Sequence, residues 1–171
     1  MKKFNCISAI TLVFAAITTS VSAQETASAT ATATIVTPIS IVKDVDMNFG
    51  NVAVQSTAGG TVVLTPAGVR TATGGVTLPS TATGTITAAS FTVTGTGNYT
   101  YSITLPSTAL TITSGANTMT VTNFTSDPLG VGTLAAGTQT LNVGATLNVS
   151  AAQAAGTYVS ATPFDVTVNY N

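Results

Sequence analysis

The sequence contains no histidine and no tryptophan, and its one cysteine is Cys6. Without histidine the chain cannot form a Ser-His-Asp triad, a Cys-His pair or most zinc sites. A Ser-Lys nucleophile would have to use Lys43, but Lys43 lies beside Asp44 and is better interpreted as an exposed charge. We therefore expect no enzymatic activity, no catalytic residue, no cofactor and no metal, although the sequence alone leaves open a hydrolase that uses two aspartates.

Charge is also scarce, since charged residues make up 5% of the chain against about 25% in ordinary domains. After residue 23 the cations are Lys43 and Arg70, and the acids are Glu25, Asp44, Asp46, Asp127 and Asp165. No basic stripe exists, so nucleic acid is excluded as a partner on electrostatic grounds. A surface of Thr, Ser, Asn and Gly with few trypsin sites suits an exposed extracellular protein.

Residues 1–23 have the pattern of a secretory signal peptide. Lys2 and Lys3 form a basic start, residues 7–17 are an apolar run too short to span a bilayer, and residues 21–23 are a small-residue cleavage site. A retained membrane anchor is the alternative. Cys6 precedes the apolar run, so it is not placed as a lipoprotein anchor. We expect export to the periplasm or cell surface, with no integral membrane segment and no disulfide after cleavage.

Residues 24–36 form a leader of low complexity. From Ala27 to Thr34, alanine alternates with serine or threonine. This pattern is typical either of a disordered segment or of a weak, donor-type strand whose inner face carries only methyl groups.

The remaining sequence, residues 37–171, has no apolar period of 3.6 residues that persists for ten residues. Threonine and valine dominate, and both favour strands. Short alternating runs are separated by Gly, Pro, Asn and Ser at intervals of about 8–12 residues, which is typical of an antiparallel sandwich or barrel. We therefore predict one all-β domain.

Two alternating stretches are the clearest predicted strands. In residues 140–150 every odd position from 141 to 149 is apolar or alanine. Residues 158–170 are predicted as one half-buried strand, with Asp165 facing outward. A strand this apolar must be covered by its own sheet or by another molecule. Its inward-facing residues are therefore a candidate strand-exchange surface: Tyr158, Phe164, Val166, Val168 and Tyr170.

Other strands are predicted with less regular patterns. Residues 91–94 and 99–105 are interpreted as a hairpin joined by residues 95–98. Residues 118–125 alternate until Asn123 and Phe124 switch the parity, which indicates a bulge or a strand end. Residues 69–75 are expected to be irregular, and residues 130–137 to form a loop.

Two polar sites have competing interpretations. Asp44-x-Asp46-x-Asn48 resembles the start of a calcium loop, but the required glycine and glutamate are replaced by Phe49 and Gln55. We therefore interpret Phe49 as a core residue and the aspartates as solvated. Arg70 could offer its guanidinium to a ligand, or tie loop carbonyls together; we favour the second role.

Seven short sequence fragments occur in a specific order and spacing. They are DMNFG at 46–50, TPAGVRTATGGV at 65–76, FTVTG at 91–95, YSITLP at 101–106, NVGATLNV at 142–149, QAAGTY at 153–158 and VTVNY at 166–170. Through them the chain resembles the bacterial exported family called domain of unknown function 4402 (DUF4402), roughly from residue 31 onward. The resemblance implies a secreted β-sandwich and no established activity.

The end of the chain, residues 155–170, is also similar to the closing strand of spore coat protein U-like and chaperone–usher pilin subunits. Those subunits have an immunoglobulin-like fold that lacks one strand, which the N-terminal extension of a neighbour supplies. The resemblance implies an immunoglobulin-like, pilin-like sandwich and a periplasmic chaperone as a partner. In this chain the leader offers alanines where such donor strands present bulky residues.

Two functions follow as hypotheses. The first is a structural or adhesive, fimbria-like subunit at the surface of a Gram-negative bacterium, which self-associates by strand addition. The alternative is a self-contained extracellular sandwich that binds a carbohydrate or another ligand through its loops. A free leader and an open edge near residues 158–170 would favour the first, and blunted edges would favour the second.

Overall fold

The structure is a computed structural model, and it describes residues 23–171. The predicted signal peptide lies outside the described residues, except for Ala23. The chain divides into two units, Met1–Thr34 and Ile35–Asn171. In the first, residues 23–34 contain no strand and are exposed throughout. The described part has no helix, hence none long and apolar enough to cross a bilayer.

The second unit is all-β, as the alternating patterns predict. Its strands, in chain order, are β1 Ser40–Val45, β2 Asn48–Phe49, β3 Ala53–Val54, β4 Gly60–Leu64, β5 Arg70–Gly74, β6 Val76–Thr77, β7 Ile86–Thr87, β8 Ala89–Thr94, β9 Thr100–Thr104, β10 Leu110–Ser114, β11 Asn117–Asp127, β12 Val131–Thr133, β13 Thr138–Val149, β14 Val159–Ser160 and β15 Thr167–Tyr170.

The larger sheet has eight strands and is organised around β13. Its main path runs β1-β8-β13-β11-β10-β14, and β4 and then β5 branch from β13. β13 is long enough to pair with β8 through residues 138–143 and with β4 through residues 145–149. β11 lies on its other edge, and a register shift between Thr122 and Thr125 shows a bulge, the first of the two alternatives that the sequence left open there. All of these pairings are antiparallel.

The smaller sheet has three antiparallel strands in the order β12-β9-β15. Two short pairs, β2-β7 and β3-β6, complete the unit. Val93 and Leu141 of the larger sheet share one buried cluster with Tyr101 and Val168 of the smaller sheet. Packing between two antiparallel sheets is consistent with a β-sandwich.

The predicted hairpin of residues 91–94 and 99–105 is wrong. β8 pairs with β1 and β13 in the larger sheet, whereas β9 pairs with β12 and β15 in the smaller one. The connecting residues bond to a distant loop rather than across a hairpin: Gly95 N–H donates to Gly137 O at 2.9 Å and Asn98 N–H donates to Leu134 O at 2.7 Å. These contacts turn the chain from one sheet into the other.

Two segments expected to lack regular structure are strands. Residues 70–74 form β5, which pairs along its full length with β4. A turn joins the two strands, with Gly68 N–H donating to Thr65 O at 2.9 Å. Residues 131–133 form β12 against β9. Both segments are rich in glycine and threonine, so their strand character depends on pairing and not on an apolar pattern.

Candidate functional site

The final stretch, residues 158–170, keeps the predicted alternation but is not one strand. Phe164, Val166, Val168 and Tyr170 are all less exposed than their odd-numbered neighbours, and Asp165 faces solvent. β14 pairs with β10 in the larger sheet, and β15 pairs with β9 in the smaller one. The segment between them crosses from sheet to sheet and contains Pro163, which has no N–H to donate to a ladder.

The structure brings together four of the five candidate residues. Val168 belongs to the buried cluster between the sheets, and Phe164, Val166 and Tyr170 pack against it. The Phe164 ring lies 5.0 Å from Phe124. The fifth residue, Tyr158, lies apart from them, because its hydroxyl donates to Ala154 O and accepts from Gln153 Nε2, each at 2.8 Å.

The outer edge of β15 carries free backbone groups. Asn171 N–H donates to Thr100 O on the β9 side at 3.2 Å. Hydrogen-bonded and non-hydrogen-bonded positions alternate along an antiparallel pair. In the observed register Thr167 and Asn169 have the same parity as Asn171, so their backbone N–H and C=O groups also point toward β9. The N–H and C=O groups of Val168 and Tyr170 therefore point to the outer edge. Within residues 23–171, β15 has no strand partner other than β9.

The opposite edge of the smaller sheet, on β12, is closed by local hydrogen bonds. Gln139 Oε1 accepts from Thr133 N–H at 2.8 Å. Val131 N–H donates to Leu129 O, also at 2.8 Å, in a tight turn. These are the donors that β12 would offer to a new strand, so only β15 leaves the edge of the smaller sheet open.

Two edges of the larger sheet, on β1 and on β14, are protected in other ways. β1 carries Lys43 and Asp44, and charged side chains on an edge strand discourage pairing. β14 is two residues long. The third edge, on β5, has one charged residue, Arg70, whose guanidinium binds the carbonyls of Phe49 and Asn51. By contrast, β15 has the sequence Thr-Val-Asn-Tyr and carries no charge.

One end of the open edge is held by the hydroxyl of Tyr170. That hydroxyl accepts from Thr96 N–H at 2.7 Å and donates to Thr37 O at 2.8 Å. The close approach of the Tyr170 hydroxyl to the backbone requires glycine at position 95, since a Cβ atom there would lie 2.2 Å from that hydroxyl. β1 comes near β15 here but does not pair with it.

The core beneath β15 is already filled. Val93, Tyr101 and Leu141 are each 0% exposed. Edge pairing on β15 would therefore add a strand beside a closed core, and would not insert large side chains into an empty one.

A groove of about 680 Å³ lies beside the segment that joins β14 to β15. Its other wall is the connection between β9 and β10, together with the start of β10. Hydroxyl groups from Thr104, Ser107, Thr111 and Thr162 line it, and Asp165 is its one charged residue. The sequence patterns did not predict this groove; the signal available was the pair of prolines at 106 and 163, neither of which has an N–H to donate to a strand ladder.

Arg70 lies at the start of β5 and donates to backbone carbonyls. One of its nitrogens bonds to Phe49 O and to Asn51 O, the latter at 3.0 Å. Between these two residues Gly50 has a φ of +67°, and a Cβ atom there would lie 2.5 Å from Thr83 O. These contacts accord with the loop-tying role.

One side-chain oxygen of each polar residue in the calcium-like sequence has a partner within the protein. Asp44 accepts from Thr92 Oγ1 at 2.8 Å, Asp46 pairs with Lys43 at 2.7 Å, and Asn48 Oδ1 accepts from Gly50 N–H at 2.8 Å. Phe49 packs against the second core cluster, as interpreted from the sequence. Among the described residues, no group of three or more His, Cys, Asp or Glu side chains is placed to hold a metal ion.

Residues 39–170 match the family described as domain of unknown function (DUF4402). The chain belongs to the DUF4402 family. The matched region of this DUF4402 protein contains every strand from β1 to β15, while the leader lies outside it. No curated protein and no solved structure gives a significant match.

Proposed function

We propose that this DUF4402 protein is a non-enzymatic, exported surface subunit, structural or adhesive in role, that self-associates by strand addition at the outer edge of β15. The observation that carries the proposal is the contrast between this uncharged edge, with free backbone groups at Val168 and Tyr170, and the edges of β1, β12 and β14, which are charged, hydrogen-bonded or short. An unpaired edge is a ready template for another strand, and proteins that do not use such edges blunt them.

The sheet arrangement supports an immunoglobulin-like, pilin-like sandwich. Two antiparallel sheets share a core, and the last strand is an edge strand whose outer side is unpaired. In the subunits that the C-terminal sequence resembles, the N-terminal extension of a neighbour supplies a missing strand. A periplasmic chaperone that protects this edge before assembly fits the same arrangement.

Export and surface location are supported by the sequence. The N-terminal residues have a signal-peptide pattern, and the chain has 5% charged residues and no histidine. A surface that depends on threonine and serine hydroxyls for its solubility responds little to ionic strength. These properties suit a subunit that is exposed outside the cell.

The edge proposal is tested by adding one charge to β15. Asn169 is exposed and its side chain lies on the edge strand, so Asn169→Lys is expected to abolish concentration-dependent association of the chain from Gln24 in sedimentation velocity. The matched control is Thr140→Lys, an exposed position on β13, an internal strand of the larger sheet. The control is expected to associate as the unmodified chain does.

Two results contradict the proposal. One is an unmodified chain that remains a monomer at every concentration up to the millimolar range. The other is equal association of the Asn169→Lys and Thr140→Lys variants, which would place the contact elsewhere.

The groove beside Asp165 favours the second candidate function, a self-contained sandwich that binds a ligand. Its volume of about 680 Å³ lies within the usual range for small-molecule sites, roughly 300–1,000 Å³. Hydroxyl groups and one carboxylate would suit a neutral carbohydrate. A monomeric chain that binds neutral oligosaccharides, with chemical-shift changes confined to the groove, would favour this candidate over strand addition.

A further inference from the structure

We infer that the strand added to β15 is β5 of a second copy of this chain, so that the smaller sheet of one subunit continues into the larger sheet of the next. This inference rests on the proposed function and names the partner at the same edge. Both strands belong to the folded unit Ile35–Asn171, so the contact uses no segment outside that unit.

The outer edge of β5 also carries free backbone groups. Thr65 N–H donates to Val69 O at 2.9 Å where β4 leads into β5. Hydrogen-bonded and non-hydrogen-bonded positions alternate from this pair, so the backbone groups of Thr71 and Thr73 face β4 and those of Ala72 point outward. Within residues 23–171, β5 has no strand partner other than β4.

The edge of β5 lacks the features that protect the edges of β1, β12 and β14. Its one charged side chain, Arg70, is held by the carbonyls of Phe49 and Asn51. Thr71 and Thr73 are exposed and uncharged. Each of the two main sheets therefore has one edge that can accept a strand, on β5 in the larger sheet and on β15 in the smaller one.

The two edges match in the direction of their side chains. On β15 the outward backbone groups belong to Val168 and Tyr170, whose side chains lie on the core between the sheets. On β5 they include those of Ala72, whose side chain packs on the second core cluster. Residues directly opposite each other in an antiparallel pair share one face. Pairing therefore puts both cores on one side and the polar side chains on the other.

Side-chain size favours β5 as the partner of β15. The core beneath β15 is filled, since Val93 and Leu141 are each 0% exposed, and overpacking a filled site is unfavourable. A second copy of β15 would bring another Tyr170 to this surface, whereas β5 brings Ala72. Two copies of β5 would set Ala72 beside Ala72 and bury little apolar surface.

One register pairs every residue of β15. It sets residues 167–170 antiparallel to residues 70–73, so that Asn169 lies opposite Thr71. The ladder ends at Gly74, whose φ of +65° is outside the extended conformation. Threonine and asparagine then meet across the outer face, where polar cross-strand pairs are stabilising.

A contact between two different edges leads to an open chain of subunits. Each bound copy leaves one β15 edge or one β5 edge free, and such a heterologous contact continues unless its rotation closes a ring. Four residue pairs bury little surface compared with a standard interface. The association is therefore expected to be weak and to depend strongly on concentration.

The test blocks the two edges separately. Asn169→Lys adds a charge to β15 and Thr71→Lys adds one to β5, both at exposed positions. Each variant is expected to raise the dissociation constant for self-association by about tenfold or more. An equimolar mixture of the two should form a heterodimer that grows no further, because one intact edge of each kind remains. Sedimentation velocity on the chain from Gln24 measures this, with Thr140→Lys as the control.

A cysteine cross-link locates the contact, since the chain has no cysteine after residue 23. In the inferred register Asn169 and Thr71 form a non-hydrogen-bonded pair, the closer kind in an antiparallel ladder, which suits a disulfide. Under mild oxidation, Asn169→Cys mixed with isotopically labelled Thr71→Cys should give mixed disulfides in excess of homodimers. Replacing the second chain by Thr140→Cys should remove that excess.

The inference and the proposed function can fail separately. If Thr71→Lys associates as the unmodified chain does, or Asn169→Cys cross-links chiefly to itself, the inference is overturned and edge pairing at β15 stands. Loss of association on removal of residues 24–34 would also overturn it, because the leader would then be the added strand. A chain that never associates contradicts both. A heterodimer from the two lysine variants, with association unchanged by removal of the leader, supports both.

Discussion

Tyr101 is the largest side chain that the described part of the chain buries completely, and it lies in the middle strand of the smaller sheet. Its hydroxyl donates to Gln139 Oε1 at 2.9 Å, and the same oxygen accepts from Thr133 N–H at 2.8 Å. One amide group therefore satisfies a buried phenol and closes the edge at β12. Burial raises the pKa of Tyr101 above its ordinary value of 10.0.

This raised pKa predicts a loss of stability in alkali. Since the folded state keeps the Tyr101 proton to higher pH than the unfolded state, the contribution to the free energy of unfolding is complete below about pH 10 and is lost as the pH rises through the folded pKa. Urea unfolding at pH 8 and at successive values above 10 should show this decline. Tyr101→Phe should give a flatter pH profile, and Tyr99→Phe, at an exposed position, should not. Parallel profiles for all three chains would contradict the prediction.

At the scale of elements, the turn between β2 and β3 depends on a contact from a distant strand. Arg70, at the start of β5, donates to the carbonyls of Phe49 and Asn51 on either side of Gly50. The guanidinium thereby ties the turn to β5, while Phe49 and Val52 pack on the second core cluster.

Removal of the guanidinium should therefore destabilise the fold. Arg70→Met is expected to lower the free energy of unfolding by about 1–3 kcal/mol, because the partly buried carbonyl of Phe49 loses a charged donor. Arg70→Lys should recover part of this loss, since one ammonium can still reach a carbonyl. Urea unfolding at neutral pH measures both. An Arg70→Met variant of unchanged stability would remove the loop-tying role and favour ligand binding.

At the scale of the whole molecule, β13 lies beneath both core clusters. Leu141 and Val143 face the cluster between the sheets, and Ala145, Leu147 and Val149 face the second cluster. All five side chains lie on the same face of β13, so this one strand contributes to both clusters. We expect them to unfold together rather than as separate parts.

This coupling gives a test of cooperativity. Leu141→Ala and Leu147→Ala should each lower the free energy of unfolding by about 2–5 kcal/mol, and each should shift one common transition seen by circular dichroism and by tyrosine fluorescence. Thr140→Ala, at an exposed position of the same strand, should change it by less than about 0.5 kcal/mol. Two separate transitions in either leucine variant would show that the clusters unfold independently.

Some parts of the fold could be predicted from the sequence, and others could not. β13 and the bulge after Thr122 were predicted because each is visible in the local alternation of side chains. β5 and β12 were not, since glycine and threonine carry little pattern and these strands form through pairing with β4 and β9. The groove beside Asp165 was missed because its two walls are about fifty residues apart in the chain.

The sequence by itself determined the all-β class, the family, and which residues of the final stretch face inward, because side-chain parity is a property of each strand alone. Only the tertiary structure decided that this stretch serves two sheets, that β15 is an edge, and that the edge of β12 is closed by Gln139. Those facts depend on hydrogen bonds between residues far apart in the chain, and a period-two pattern is the same for every partner that a strand could take.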